Sequence, residues 1–189
     1  MGRGTAEHYN VEHTVDIISG TFSKALASSG DFIAGDNDVI DYLKHFASSF
    51  VFSASMTPSA VATVIASLEI LQREPKRRER LLLLSKYTRA SLLTAGFDVI
   101  DGLTPAIVVR WESGKDLYGR SEEVGQFCND LLEAGFYINP IMGQAVPSPV
   151  LRINIMVVHT ESQIDALVHA MVEASPARLT FNLGNNLNS

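Results

Sequence analysis

Thr21 and Lys24 stand three residues apart in Gly20-Thr-Phe-Ser-Lys-Ala-Leu26, a polar turn that follows the apolar run Val15–Ser19. At a strand end, a hydroxyl and an amine with this spacing can face one pocket. A hydroxyl with backbone N–H groups suits a phosphate. A lysine beside them either holds that phosphate as a point charge or, where desolvation strips its proton, acts as a nucleophile. The alternative is a solvated loop lysine, and T-x-x-K alone does not separate the two. Arg152 is the second candidate. Leu151, Ile153, Ile155 and Val157 alternate with Arg152, Asn154 and Met156, the pattern of a half-buried strand. A guanidinium among apolar residues needs an anionic partner, and its planar fork suits a carboxylate. The alternative is an arginine on the wet face of an edge strand. Ser53 and Ser55 lie just before Thr57-Pro58, a helix start with Thr57 as N-cap and Pro58 at the first helical position. A helix N-terminus suits an anion, but two serines there can also serve only to satisfy backbone groups.

The elements that must position these residues follow from hydrophobic period and from glycine and proline. Val15–Ser19 reads as a buried strand and Phe32–Gly35 as another. Val39, Ile40, Leu43 and Phe46 put a helix over Asp36–Phe46. Pro58–Gln72 is rich in Ala, Val, Ile and Leu and reads as a mostly buried helix. The basic run Lys76–Arg80 opens a second long helix that reaches about Thr94 and stops at Gly96, and its charges read as a solvated face. Phe97–Ile100 and Ala106–Trp111 read as strands. Ser113–Arg120 reads as a polar loop, followed by a helix from Ser121 to Ala134 that Gly135 ends. Phe136–Ile141 is a strand, Gly143–Pro149 a rigid irregular loop, and Leu151–Val157 a strand. Thr160 with Gln163 forms a capping-box pattern for a last helix to about Ala174. The tail Ser175–Ser189 shows little periodicity.

Composition excludes several functions. In 189 residues, 46% are hydrophobic and 19% charged, enough apolar material to bury a core. The net charge of −6 argues against a nucleic-acid surface. The single cysteine, Cys128, rules out an intrachain disulfide and points to a reducing compartment; on its helix it reads as a buried thiol. No His, Cys or carboxylate cluster has metal spacing, so no metal is expected. No secretory leader opens the chain, and Phe50–Leu71, its most membrane-like window, reads as a buried helix and not a span. His159 has no assignable role, and His13, His45 and His169 read as surface residues.

Three segments together, Gly20-Thr-Phe-Ser-Lys-Ala-Leu-Ala27, Phe32-Ile-Ala-Gly-Asp36 and Phe52-Ser-Ala-Ser-Met-Thr-Pro58, resemble in order and spacing the α-oxoamine synthases, fold-type I enzymes that use pyridoxal phosphate (PLP). Gly2-Arg-Gly-Thr-Ala-Glu-His8 and the stretch from Asn139-Pro140 to His159-Thr160 also fit, so the resemblance reaches about residue 174. Within the family it is nearest to serine palmitoyltransferase-like members and aminoketobutyrate-CoA ligase. The resemblance implies an α/β fold in which 1–75 is the C-terminal part of a PLP-binding large domain, 76–96 a linking helix, 97–174 a small α+β domain and 175–189 a flexible tail. It implies Lys24 as the Schiff-base lysine and proton-transfer base, Thr21 on the cofactor phosphate, Ser53 on the phosphate of the neighbouring subunit, and Arg152 on the carboxylate of the amino-acid substrate. The implied partners are an amino acid, an acyl-CoA and a second copy of the chain, in the cytoplasm. Two features cut against a complete enzyme. Family chains are roughly twice this length, and Asp31 stands where the family usually has a second glycine. It either crowds the cofactor turn or points outward. The alternative function is a non-catalytic fragment or companion subunit that dimerises with a full-length paralogue.

Overall fold

A computed structural model describes residues 2–111, 115–142 and 146–175. The chain divides into two compact units, Met1–Lys76 and Arg77–Ser189.

Unit one is built on a hairpin and a helix. After the short helix α1 (Thr5–His8) and a 3₁₀ turn at Glu12–Thr14, strands β1 (Ile17–Thr21) and β2 (Asp31–Gly35) pair antiparallel, from Ile17 opposite Gly35 to Thr21 opposite Asp31. The ring of Phe32 lies across Gly20, where a Cβ would come within 2.5 Å of it, so this strand position accepts only glycine without moving the ring. Helices α2 (Asn37–Phe46), α3 (Ser48–Val51) and α4 (Pro58–Arg73) follow. The α4 start is the expected one: Thr57 is the N-cap, its hydroxyl accepting from the Ala60 N–H at 3.4 Å, with Pro58 in the first turn.

Two expectations for this unit are corrected. β1 is not buried, since Ile17 and Ile18 are each 48% exposed. Helix α4 is not mostly buried either: Val64 is its one buried residue. Its Ala60, Val64, Ser67 and Leu71 stripe is covered or partly covered, while Val61, Ile65 and Leu68 form an exposed second stripe. An apolar run records that a segment can be buried, not that something covers it. A two-stranded hairpin has two open faces, and no described element of this unit covers them.

Unit two is a helix-on-sheet layer. Helix α5 (Pro75–Thr94) leads into β3 (Ala106–Arg110), α6 (Leu117–Glu133), β4 (Asn139–Ile141), β5 (Val150–Asn154) and α7 (Glu161–Ala174). The sheet is antiparallel with order β3-β5-β4. Ile107 pairs with Ile153 and Val109 with Leu151, so these four share one face. They are buried in one cluster with Leu84 and Leu92 of α5, Val124, Phe127 and Leu131 of α6, and Ile164, Leu167 and Met171 of α7. Among the described residues, every buried apolar side chain except Val64 and Pro149 belongs to this cluster. Arg89 on α5 ties the entrance to the sheet by donating to the carbonyls of Ile100, Thr104 and Ala106 at 2.8, 2.9 and 3.2 Å.

The helix ends follow their sequence signals. At Gly96 and Gly135, both at φ 90°, the helix closes with paired bonds, Gly96 N–H to Leu93 and Phe97 N–H to Leu92, then Gly135 N–H to Leu132 and Phe136 N–H to Leu131. The Thr160–Gln163 capping box is formed. Boundaries moved elsewhere. α6 starts at Leu117 and not Ser121, because Asp116 takes the N-cap by accepting from Gly119 N–H at 2.9 Å. Phe97–Ile100 contributes a single bridge, Val99 to Val109, and not a strand. The strand expected over Phe136–Ile141 shortens to β4. β5 ends at Asn154 because the chain turns at Met156, whose N–H donates to Nδ1 of His159 at 3.2 Å. His159, without an assigned role in the sequence, closes this turn. Parts of the Ser113–Arg120 and Gly143–Pro149 loops, and nearly all of the tail, lie outside the described residues. Cys128 is half-buried on α6, and burial pushes its thiol up to about 11.

Two outcomes follow for unit two. Leu151→Ala lowers stability by about 2–5 kcal/mol, whereas Asn154→Ala, on the exposed side of the same strand, changes it by less than about 0.5 kcal/mol. Urea unfolding read by Trp111, the single buried tryptophan, measures both; equal costs would refute the face assignment. Because the Cys128 thiol is raised, it stays protonated at pH 8. A disulfide reagent therefore modifies it roughly 100-fold more slowly in the folded chain than in denaturant; equal rates would show an accessible thiolate.

Candidate functional site

The turn between β1 and β2 carries the first candidate residues. Thr21 ends β1. Its Oγ1 shares a hydrogen bond with Ser23 Oγ at 2.8 Å, accepts from Ser23 N–H at 3.2 Å and lies 3.4 Å from the Gly30 carbonyl. A threonine closing a strand with its hydroxyl folded over the next two residues is a local turn that competes with strand continuation. Lys24 lies three residues on, exposed, and makes no ion pair among the described residues. The backbone then closes on itself: Ala27 N–H donates to Lys24 O at 3.0 Å, Ser28 N–H to Phe22 O at 3.0 Å, and Phe22 N–H to Gly30 O at 2.9 Å.

Two residues of this turn adopt left-handed backbone, Ala27 at φ 50° and Gly30 at φ 105°. Gly30 also lies under Met56, whose sulfur would be 3.0 Å from a Cβ placed there. Asp31, by contrast, sits in β2 with ordinary strand backbone, exposed and directly opposite Thr21. So Asp31 does not crowd the turn. It places a carboxylate on the same hairpin face as Thr21, because directly opposed residues share a face.

Ser53 stands on the segment between α3 and α4, exposed, with its N–H donating to Phe50 O at 3.2 Å. The structure brings this segment and the Lys24 turn to one helix. Ser28 Oγ donates to Ala60 O of α4 at 2.9 Å, and Ser67 Oγ of α4 donates to Leu26 O at 3.2 Å. Thr21, Lys24 and Ser53 therefore belong to one frame organised by α4. The two serine ties were not read from the sequence. The available signal was Ser67, a hydroxyl residue in the middle of an apolar helix, where it has low intrinsic preference and needs a reason.

Arg152 belongs to unit two. It lies on β5, opposite Val108 of β3 on one side and Asn139 of β4 on the other. β5 is the central strand, so the edge-strand alternative does not hold. Three arginines of this unit, Arg89, Arg120 and Arg152, each have a buried Nε without a hydrogen-bond partner. Arg89 is anchored through its outer nitrogens to three carbonyls, and Arg120 through Nη1 to Ser148 Oγ at 3.1 Å. Arg152 has no such anchor among the described residues. An unpaired buried donor carries an unrecovered desolvation cost. No cluster of metal-ligating side chains occurs among the described residues, and none of their helices is long and apolar enough to cross a membrane.

Comparison with known proteins gives the family. The family model for aminotransferase class I and II matches residues 1–171. A serine palmitoyltransferase of Sphingobacterium spiritivorum is 43% identical over 174 residues, covering 90% of this chain and 42% of that protein. An 8-amino-7-oxononanoate synthase of Lysinibacillus sphaericus is 35% identical over 169 residues, 88% of this chain and 42% of that protein. A serine palmitoyltransferase structure containing a PLP internal aldimine superposes with a TM-score of 0.82 at 27% identity, covering 92% of this chain and 43% of that one. The chain thus spans less than half the length of the relatives it matches. With an α/β fold shared with fold-type I transferases and a family match over nearly all of its length, the chain belongs to the aminotransferase class I and II family.

Proposed function

We propose that this chain carries the lysine-bearing part of a PLP-dependent α-oxoamine synthase of the serine palmitoyltransferase kind, which joins an amino acid to an acyl-CoA with loss of CO2. The observation that supports it most is the Lys24 turn. An amine without an ion pair among the described residues is displayed at a strand end, one short turn from a threonine hydroxyl. These are the groups a phosphate-bearing aldehyde needs: a primary amine for the carbonyl carbon, and hydroxyl and N–H donors for the phosphate.

Bound PLP supplies an electron sink for negative charge at the amino-acid Cα. In this reading Lys24 Nζ would hold the cofactor and would move the proton at the amino-acid Cα. Thr21 Oγ1 gives up its long contact to the Gly30 carbonyl and donates to a phosphate oxygen. Ser53, beside the α4 N-terminus, serves the phosphate of a second copy, which makes the assembly a homodimer. Arg152 takes the substrate carboxylate on its planar fork. Residues 1–75 are then the C-terminal part of the PLP-binding large domain, 76–96 a linking helix and 97–174 the small domain. The lone thiol of Cys128 fits a reducing, cytoplasmic setting.

A second reading has its own support. The open hairpin faces and the exposed α4 stripe fit a companion subunit whose surfaces are covered by a full-length relative. Retention of the lysine favours the first reading.

Absorbance of the chain with PLP, followed by borohydride reduction and peptide mapping, tests the assignment. A reduced adduct maps to Lys24 and is lost in Lys24→Ala. Arg152→Ala keeps the adduct but weakens amino-acid binding by roughly 10–100-fold, the worth of a charge-assisted pair. No adduct at Lys24, either alone or with a full-length relative co-expressed, overturns the catalytic reading.

The second outcome concerns Asp31. A carboxylate on the Thr21 face repels a phosphate held there. Asp31→Asn is therefore expected to tighten PLP binding about 2–5-fold at low salt, with the gain shrinking as ionic strength rises. Weaker binding in the variant, measured by titration, would show that Asp31 supports the site.

A further inference from the structure

The turn that carries Lys24 is not stable by virtue of its own sequence. It leaves β1 at Phe22, takes left-handed backbone at Ala27, a residue with a Cβ, and again at Gly30 before it enters β2. Left-handed alanine is disfavoured, so something outside the turn must select this path.

Besides the stacking of Phe22 on Phe32, the contacts that do so come from α4 and the segment before it. Ser67, in the middle of α4, donates to the Leu26 carbonyl. Ser28 donates to the Ala60 carbonyl in the first turn of the helix. Met56 covers Gly30. Leu26, Ser28 and Gly30 are thus held in sequence along the helix, on the stripe formed by Ala60, Val64 and Ser67. These three restraints flank Ala27 on both sides. The two serine ties span 41 and 32 residues of sequence, so neither is a local turn preference.

Ser67 explains itself on these terms. In α4 the hydroxyl of Thr63 bonds back to the Ser59 carbonyl, the usual outlet for such a side chain within a helix. Ser67 instead spends its donor on the Lys24 turn. Ser28 performs the reverse exchange, a turn hydroxyl bonding to a helix carbonyl. The two bonds are made in opposite directions, one hydroxyl from each partner, which fixes the turn against sliding along the helix as well as lifting from it.

We infer that Ser28 and Ser67 are positioning residues for Lys24: the pair clamps the Phe22–Gly30 turn onto α4 and so sets where the lysine amine is presented relative to the Ser53–Thr57 segment. This inference rests on the reading of Lys24 as the cofactor lysine, and its consequence is kinetic. A turn released from α4 visits other backbone states, and the amine meets the cofactor carbonyl in the right geometry for a smaller fraction of the time.

The test compares the full chain with Ser67→Ala, Ser28→Ala and the hydroxyl-retaining Ser67→Thr. Hydrogen exchange of the peptide covering 22–30, measured without cofactor, reads the clamp directly through the amides of Phe22, Ala27 and Ser28. Each alanine variant should exchange there about 5–10-fold faster, the equivalent of one hydrogen bond, with peptides of unit two unchanged and Ser67→Thr restored towards the parent. PLP trapping by borohydride at Lys24 should slow by a similar factor in the alanine variants and recover in Ser67→Thr. Unchanged exchange in the turn, or an unprotected turn in the parent chain, overturns the clamp. Faster exchange throughout unit one reduces the serines to general stability and also overturns it. Faster local exchange with unchanged trapping at Lys24 overturns the positioning role. A protected parent turn that traps nothing at Lys24 fails the cofactor-lysine reading, and with it the role assigned here, while leaving the clamp itself standing as a measured contact.

Discussion

The lysine of this chain is presented by a turn whose path is enforced from outside. Ala27 in a left-handed conformation and the backbone bonds between Phe22, Ser28 and Gly30 make a compact loop, but its attachment is to α4, through Leu26 with Ser67 and Ser28 with Ala60. That attachment ties together the rest of unit one's chemistry. The Ser53 segment leads directly into α4, the helix N-terminus offers its N–H groups there, and Thr21 closes the strand that feeds the turn. Loosening the contact between turn and helix would free the Lys24 turn from the helix into which the Ser53 segment leads.

The two units achieve order differently. Unit two has the physics of an ordinary small domain: one sheet face and three helices close around Ile107, Val109, Leu151 and Ile153, with tryptophan and phenylalanine packed beside them. Its central strand then places Arg152 on the opposite face, supported by neighbours on both sides. That strand gives the guanidinium a fixed base. Unit one has almost no closed core. Its hairpin and its α4 stripe leave Ile17, Ile18, Ile33 and Ile65 exposed, more apolar surface than an isolated soluble unit of this size normally shows. The chain covers 42–43% of the length of the three relatives compared above.

Asp31 shows how a departure from a family pattern can be resolved by register. Two adjacent small residues would suit a tight cofactor turn, but only one of the two positions here is left-handed, and Gly30 fills it. The second position is already in the strand, where any side chain is tolerated sterically. What remains is electrostatic: the carboxylate faces the same way as Thr21, so the substitution alters the charge near the turn and not its shape.

Much of the molecule was legible in one dimension because local signals decide local structure. The Thr57-Pro58 start, the Gly96 and Gly135 stops, the Thr160–Gln163 box and the alternation through Leu151, Ile153 and Ile155 are each settled by a few neighbouring residues, and the structure follows them. Thr21, Lys24, Ser53 and Arg152 could also be singled out, because residue type and spacing state what chemistry is available. Coverage and long-range pairing could not be read. Val15–Ser19 and Pro58–Gln72 have the composition of buried elements, yet burial depends on whether another surface arrives, and periodicity contains no record of that. Asp116 took the cap of α6 from outside the expected helix, and His159 found its role only when the chain turned back on Met156. The same limit hid the ties of Ser28 and Ser67. A serine's hydrogen bond to a residue 32 or 41 positions away has no signature in its own neighbourhood, so sequence alone determined the elements and the candidate chemistry, and tertiary structure alone decided which helix holds the lysine.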